Sequence, residues 1–301
     1  MLHSRVLEYK PDYLYQVAYK DRQAFDYGGW LAMHPMSDLP YRRYHMEKRL
    51  RNEYLGYFVP EHQAVLDQVR AELRQRGPLG NRDFDGKRLE GQSYRGRKET
   101  SVAMFDMWLS GELMIHHRVG FDRVYDFREN IAPKEHDYVA TEEAAIEFFA
   151  RKAVAFAGLK REGTMKAEWQ YYLRRDFSKS EIESLLGVWK ESGKFAQVQI
   201  EGGRETYLVL GEDVTALNAL AKGAVPKGWN PKETSTVEEV TLLAPLDIVS
   251  ARGRSQKLFG FDYKWEVYVP GPKRRWGITC CRFYMAMILW RGSTRNSTGQ
   301  R

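Results

Sequence analysis

Lysine, arginine, serine and threonine at the opening of a helix, and arginine or histidine on a β hairpin beside it, are residue types that hold phosphate oxygens. The chain carries such a set twice. Arg95, Arg97, Lys98, Thr100 and Ser101 lead into a helical pattern, and His117, Arg118 and Arg123 sit on the hairpin pattern that follows. Lys179, Ser180 and Arg204 take corresponding places further on, diluted by Glu181, Glu183 and Glu201. Lys273, Arg274 and Arg275 form a third basic run. Taken together these are candidate nucleic-acid contacts; taken singly, each is also a type that occurs as a solvated surface charge, so the clusters carry more weight than any member.

Other chemistry is poorly supplied. His116-His117 invites a metal reading, but neighbours on a strand point to opposite faces and no Cys, Asp or Glu stands at ligand spacing, so neither metal nor cofactor is expected. Cys280 and Cys281 are adjacent, which disfavours a mutual disulfide or a shared metal and suits a reducing compartment. The aromatic content of 13% could provide stacking surfaces, yet Trp108 and Trp189 fall on core-like helical faces.

The elements that must position the basic residues follow from periodicity. Val65, Leu66, Val69 and Leu73 recur at helical spacing before Gly77-Pro78. Leu79 to Arg97, rich in Gly, Asp and Arg, reads as an exposed basic loop. Val102, Phe105 and Leu109 mark a helix ending at Gly111; two strands follow around Gly120, with Phe121, Tyr125 and Phe127 on one side of the return strand. Helix, strand, turn and strand make a winged-helix unit. The pattern then recurs. Thr141-Glu142-Glu143 opens a helix, Ser178-Lys179-Ser180-Glu181 has capping-box spacing before Ile182, Leu185, Leu186 and Trp189, and Gly202-Gly203 suits a two-residue turn between alternating strands. Residues from Ala221 to Thr236 have linker composition, and strands are expected at Val240–Leu243 and Lys264–Val269.

At 301 residues the chain is long enough for two or three domains, and 43% hydrophobic with 29% charged residues excludes disordered and fibrous classes. A net charge of +7 favours a polyanionic partner. No uncharged apolar run reaches membrane-spanning length and Met1 to Asp12 has no signal-peptide core, so no membrane is expected and the cytoplasm is the default location.

Two stretches resemble the AlkZ/YcaQ-like family of winged-helix DNA glycosylases, which remove alkylated bases and unhook interstrand crosslinks. SYRGRKETSVAMFDMWLSGELMIHHRVGFDRVYDFRENIAP is similar to the family's middle winged helix, and LLAPLDIVSARGRSQKLFGFDYKWEVYVPGPKRRWG to the start of its C-terminal β-barrel. The expected class is therefore α+β, mainly α, with tandem winged helix-turn-helix units followed by a small, incomplete β-barrel. The expected division is 1–77 (remainder of a first winged-helix or helical region), 78–138 and 139–222 (winged helices), 223–236 (linker) and 237–301 (barrel). The resemblance implies duplex DNA, alkylated or crosslinked, as partner, a bacterial cytoplasmic or nucleoid location, and a monomer.

The family carries a Gln-x-Gln or Gln-x-Asp catalytic pair upstream of a segment that ends much like Leu2-His3-Ser4-Arg5, so the pair is expected to be missing and the chain inactive as written. Gln197-Val198-Gln199 has the letters but lies in a predicted wing strand, and no catalytic residue is transferred to it. From Lys273 onward there is no Asp or Glu, and Ile278–Arg301 departs from the family pattern. A frameshift accounts for both, since permissible codons for ITCCRFYMAMILWRGST read in a displaced frame give DYVLPILYGDDLVARLD. The remaining barrel would then expose apolar surface around Tyr284, Met285 and Trp290. The alternative is a non-enzymatic winged-helix transcriptional regulator, which needs basic clusters and no catalytic pair.

Overall fold

A computed structural model of the chain describes residues 6, 8–28, 32–51, 62–85, 88–89, 97–173, 175–224, 241–243, 247, 253–275, 282–285 and 288–290. The fold is α+β and mainly helical, with small antiparallel sheets. Contacts divide the chain into Pro11–Asn218 and a second unit of Met1–Lys10 with Ala219–Arg301. Arg95, most of the expected linker, and Cys280 with Cys281 lie outside the described residues, as does the side chain of Arg97.

The larger unit opens with α1 (Pro11–Tyr15), which runs into a five-residue π turn, Gln16–Lys20. A short hairpin follows, β1 (Ala24–Asp26) with β2 (Met33–Pro35), and then α2 (Leu39–Arg51). In α3 (Gln63–Arg76) the buried residues are Val65, Leu66, Val69 and Leu73, one face of the helix, and Gly77 at φ +79 ends it before Pro78. The expected loop after it is partly strand. Leu79–Gly80 is β3, and Arg88–Leu89 (β4) pairs with Arg97–Lys98 (β5).

Helix α4 (Glu99–Leu109) buries Val102, Met104, Met107 and Trp108. It closes through Ser110 and Gly111 (φ +81), with Glu112 N–H reaching back to the Met107 carbonyl at 2.9 Å. Strands β6 (Leu113–Val119) and β7 (Asp122–Phe127) then form a hairpin whose second strand also pairs with β3, giving the order β3-β7-β6. These elements share one core, with Leu39, Leu66, Ala103, Trp108 and Leu113 at its centre.

After α5 (Arg128–Ile131) the order repeats. Helix α6 (Glu142–Ala157) is capped by Thr141, whose Oγ1 accepts from Ala144 N–H at 3.3 Å, and two acidic residues in its first turn complement the helix dipole. A two-residue strand β8 (Lys160–Arg161), α7 (Met165–Leu173) and α8 (Lys179–Glu191) follow, with Ser178 Oγ capping α8 by accepting from Glu181 N–H at 3.1 Å. Strands β9 (Phe195–Gln199) and β10 (Thr206–Leu210) complete a sheet in the order β8-β10-β9, the same order as before. Its core is separate and aromatic: Phe149, Trp169, Phe177, Trp189 and Phe195, to which α2 contributes Tyr44.

The expected two-residue turn at Gly202-Gly203 is absent. Thr206 pairs with Gln199, so Ile200–Glu205 makes a six-residue loop in which Gly202 alone has a positive φ. Register is set instead by the core pair of Leu210 opposite Phe195.

In the second unit, reached through α9 (Val214–Ala221), β11 (Thr241–Leu243), β12 (Arg282–Met285) and β13 (Ile288–Trp290) form a three-stranded sheet in that order, and α10 (Arg254–Phe259) runs between Gly253 and Gly260. The side chains of Tyr284, Met285 and Trp290 are outside the described residues. Lys264–Val269, expected as a strand, is irregular: Val269 N–H turns back to the Glu266 carbonyl at 3.0 Å, and Pro270-Gly271 follows. Among the described residues no helix is long and apolar enough to cross a membrane, and no group of three or more His, Cys, Asp or Glu is placed to hold a metal.

Two predictions follow from this packing. Gly111→Ala forces a left-handed conformation on an L residue, costing roughly 1–2 kcal/mol, and its Cβ would stand 2.6 Å from Met46 Sδ; urea denaturation should show at least that loss. His34 is held down from 6.5 to about 4 by burial first, then by Arg42 and Lys152. An unfolded imidazole therefore takes up its proton near 6.5 while the folded one resists until about 4, so this contribution to stability is present above pH 6.5 and is lost as pH falls toward 4. The thermal midpoint should drop less across that interval in His34→Gln than in the parent chain.

Candidate nucleic-acid interface

The β6–β7 hairpin is the best-defined part of the candidate surface, and an irregularity in it decides where its charges point. Ile115 pairs with Tyr125 and His117 with Val124, leaving His116 as an extra residue. The two histidines do not diverge to opposite faces as strand alternation predicts. Their rings meet with Nδ1 to Nδ1 at 2.8 Å, so one nitrogen donates and the other accepts. Burial, then Arg22 and His117, holds the His116 imidazole below its ordinary pKa, which favours the neutral ring that this contact needs.

A bulge leaves a carbonyl without its ladder partner, and here Arg22 supplies one, Nη1 donating to His116 O at 2.9 Å. Arg22 follows the π turn and has φ 55, a conformation rare for a residue with a side chain. Beyond the bulge the alternation is shifted. Arg118 opposes Arg123 on the same face as the Ile115–Tyr125 and Leu113–Phe127 pairs.

Two like charges facing each other across a hairpin repel. Each is held separately. Arg118 grips Asp26 Oδ2 through Nε at 2.7 Å and Nη2 at 2.5 Å, and burial, which would lower its pKa, is outweighed by that carboxylate, so the pKa is raised. The Arg123 guanidinium lies over the Trp108 ring, 4.6 Å from its centroid. Asp26 is 3% exposed, and its carbonyl accepts from Trp108 Nε1 at 3.1 Å. Beside it, Tyr27 OH donates to Leu109 O at 2.8 Å.

Other sequence-named residues are distributed as follows. Lys98 Nζ is tied to the Phe84 carbonyl and, at 3.3 Å, to that of Asn81, so it anchors the 81–85 segment. Thr100 is 2% exposed and faces the core of α4, whereas Ser101 is partly exposed on the first turn. Lys179 projects from the start of α8 with its side chain 88% exposed, 3.6 Å from Glu183. Ser180 Oγ is 3.1 Å from Ser178 Oγ, and Arg204 is exposed in the Ile200–Glu205 loop. In the second unit Lys273 is exposed, Arg274 Nε donates to Val269 O at 2.6 Å, and Arg275 donates its backbone N–H to Glu266 at 2.9 Å with its guanidinium 3.6 Å from Asp262. Gln197 donates to Glu162, on the turn after β8, at 3.0 Å and Gln199 to Gly203 O in its own hairpin loop at 2.8 Å, so both amides are engaged.

Sequence reasoning missed Arg22, Asp26 and Phe121. The first two gave no local signal, since their roles come from contacts 94 and 92 residues away. Phe121, expected beside Tyr125 on the return strand, occupies the turn and is 88% exposed. Val119 pairs with Asp122, so Gly120-Phe121 is the whole loop, and Gly120 takes the positive φ such a turn requires.

A solved structure, the Streptomyces sahachiroi DNA glycosylase AlkZ, is similar at 13% identity over 91% of this chain and 70% of that one, with a TM-score of 0.45. At sequence level, the family described as DNA glycosylase AlkZ-like matches residues 1–296. With nearly its whole length matched, the chain belongs to the AlkZ-like DNA glycosylase family.

Proposed function

We propose that this chain binds duplex DNA through two winged-helix units, as a homologue of repair glycosylases that act on alkylated or crosslinked bases. One observation carries the reading: a helix, a two-residue strand, a later helix and a hairpin come in the same order twice, with β4–β5 interposed in the first set and α7 in the second, and both sheets place the short strand against the second hairpin strand, β3-β7-β6 and β8-β10-β9. That arrangement suits a helix-turn-helix with a wing, in which the helix before the hairpin, α4 or α8, faces the groove. The excess of seven positive charges and membership of a DNA glycosylase family support a polyanionic substrate.

In this reading Ser101 on α4 with Arg95 and Arg97 before it in the sequence, Lys179 and Ser180 at α8, Arg204 on the second wing, and Lys273, Arg274 and Arg275 in the second unit contact phosphates. Arg118, Arg123 and His117 shape the first wing, and Lys98 fixes the approach to α4. Thr100 belongs to the core. The three strands β11, β12 and β13 are read as part of a β-barrel. No catalytic residue is assigned: the Gln197 amide donates to Glu162 and the Gln199 amide to Gly203 O in its own loop, so the function proposed for these residues is recognition and not hydrolysis.

Fluorescence anisotropy across a salt series tests this. Affinity for a duplex should fall linearly on a log–log plot, and Lys179→Ala and Arg204→Ala should each lower the slope by about 1 with little sequence dependence. A duplex carrying an alkylated purine should bind more tightly than the undamaged one whatever its flanks. Preference for a single operator sequence would instead favour a transcriptional regulator, and salt-insensitive or absent binding would overturn both.

A further inference from the structure

Phe121 has no folding role to explain its position: it is 88% exposed at a hairpin tip, and its neighbour Val119 is 58% exposed. The tip is nonetheless braced from both sides. Arg118 Nη1 donates to the Phe121 carbonyl at 3.0 Å while the rest of its guanidinium holds the buried Asp26. On the other side Arg82, with its side chain 83% exposed, pairs with Asp122 at 2.6 Å. Between the two apolar residues Gly120 presents no side chain, and nothing lies within 4 Å of where its Cβ would be.

A rigid support under an exposed aromatic ring reduces the ordering cost of binding through that ring. The chemistry around it indicates the partner. β3 joins the wing sheet through β7 and leads on to Arg82, so the guanidinium groups of Arg82 and Arg118 both reach the tip. An apolar wedge with cationic flanks suits a stacked, polyanionic partner: aromatic and aliphatic side chains entering the minor groove part adjacent base pairs while arginines hold the phosphates.

Resting on the duplex-binding reading above, we infer that Phe121 is a wedge, inserted between two base pairs of the bound duplex from the minor groove with Val119 packed behind it. The wedge would act on any duplex, since ring insertion reads stacking and not base edges.

The test uses the full chain and an undamaged duplex with a purine analogue that brightens on unstacking at its centre. Saturating parent protein should raise the fluorescence severalfold, Phe121→Ala should lose most of that rise while keeping the parent salt slope, and Phe121→Trp should retain it. Thermal melts of the exposed-site variants should match the parent. If Phe121→Ala binds and brightens the probe as the parent does, the wedge is wrong and duplex binding stands. Absence of any salt-dependent binding by the parent removes both. A change from dimer to monomer on Phe121→Ala, read by sedimentation with an unchanged fluorescence response, assigns the ring to contact between copies and overturns the wedge.

Discussion

The carboxylate of Asp26 is the point on which the first half of the molecule depends. It is almost fully buried, and a charge in that position is tolerable only if another charge meets it; Arg118 does so with two nitrogens. The same residue's carbonyl receives the indole of Trp108, the largest side chain in that core. A single residue at the end of β1 therefore fixes the hairpin β6–β7 through its side chain and helix α4 through its backbone. Removing either partner of the ion pair would strand the other in a poorly hydrated site, a loss on the order of 3–5 kcal/mol.

The two halves of the larger unit reach the same sheet order by different means. The first core surrounds Trp108 with Tyr27, Tyr125 and the methionines Met36, Met46, Met104 and Met107, whereas the second packs Trp169, Trp189, Phe177 and Phe195 edge to face. Their hairpins differ as well. One ends in a two-residue apolar tip, the other in a six-residue loop holding Glu201, Arg204 and Glu205, the last paired with Arg161 at 2.5 Å. Equivalent positions in the chain thus carry different chemistry.

Helices α3, α6 and α8 were legible in the sequence because their apolar spacing and caps are local, and both hairpins announced themselves through glycine. Loop length was not legible at Gly202-Gly203: a glycine pair reads as a tight turn, but Phe195 and Leu210 must pair across the core and six residues are left over. The local partners of the charges were not legible. Lys98, Arg118 and Arg123 look like surface cations in a sequence, yet carbonyls of the 81–85 segment, a carboxylate on β1 and an indole hold them. Such partners lie many residues away, and no periodicity encodes them.

The extra residue at His116 makes the parity of a strand a variable. Every side chain from His117 to the turn stands on the face opposite to the one simple alternation would assign. Deleting His116 would restore simple alternation with the same cross-strand pairs, so Arg118 would still face Asp26 while the carbonyl that Arg22 holds and the contact between the histidines would be lost. A bulge of this kind lets a strand absorb one added residue without turning its far end over.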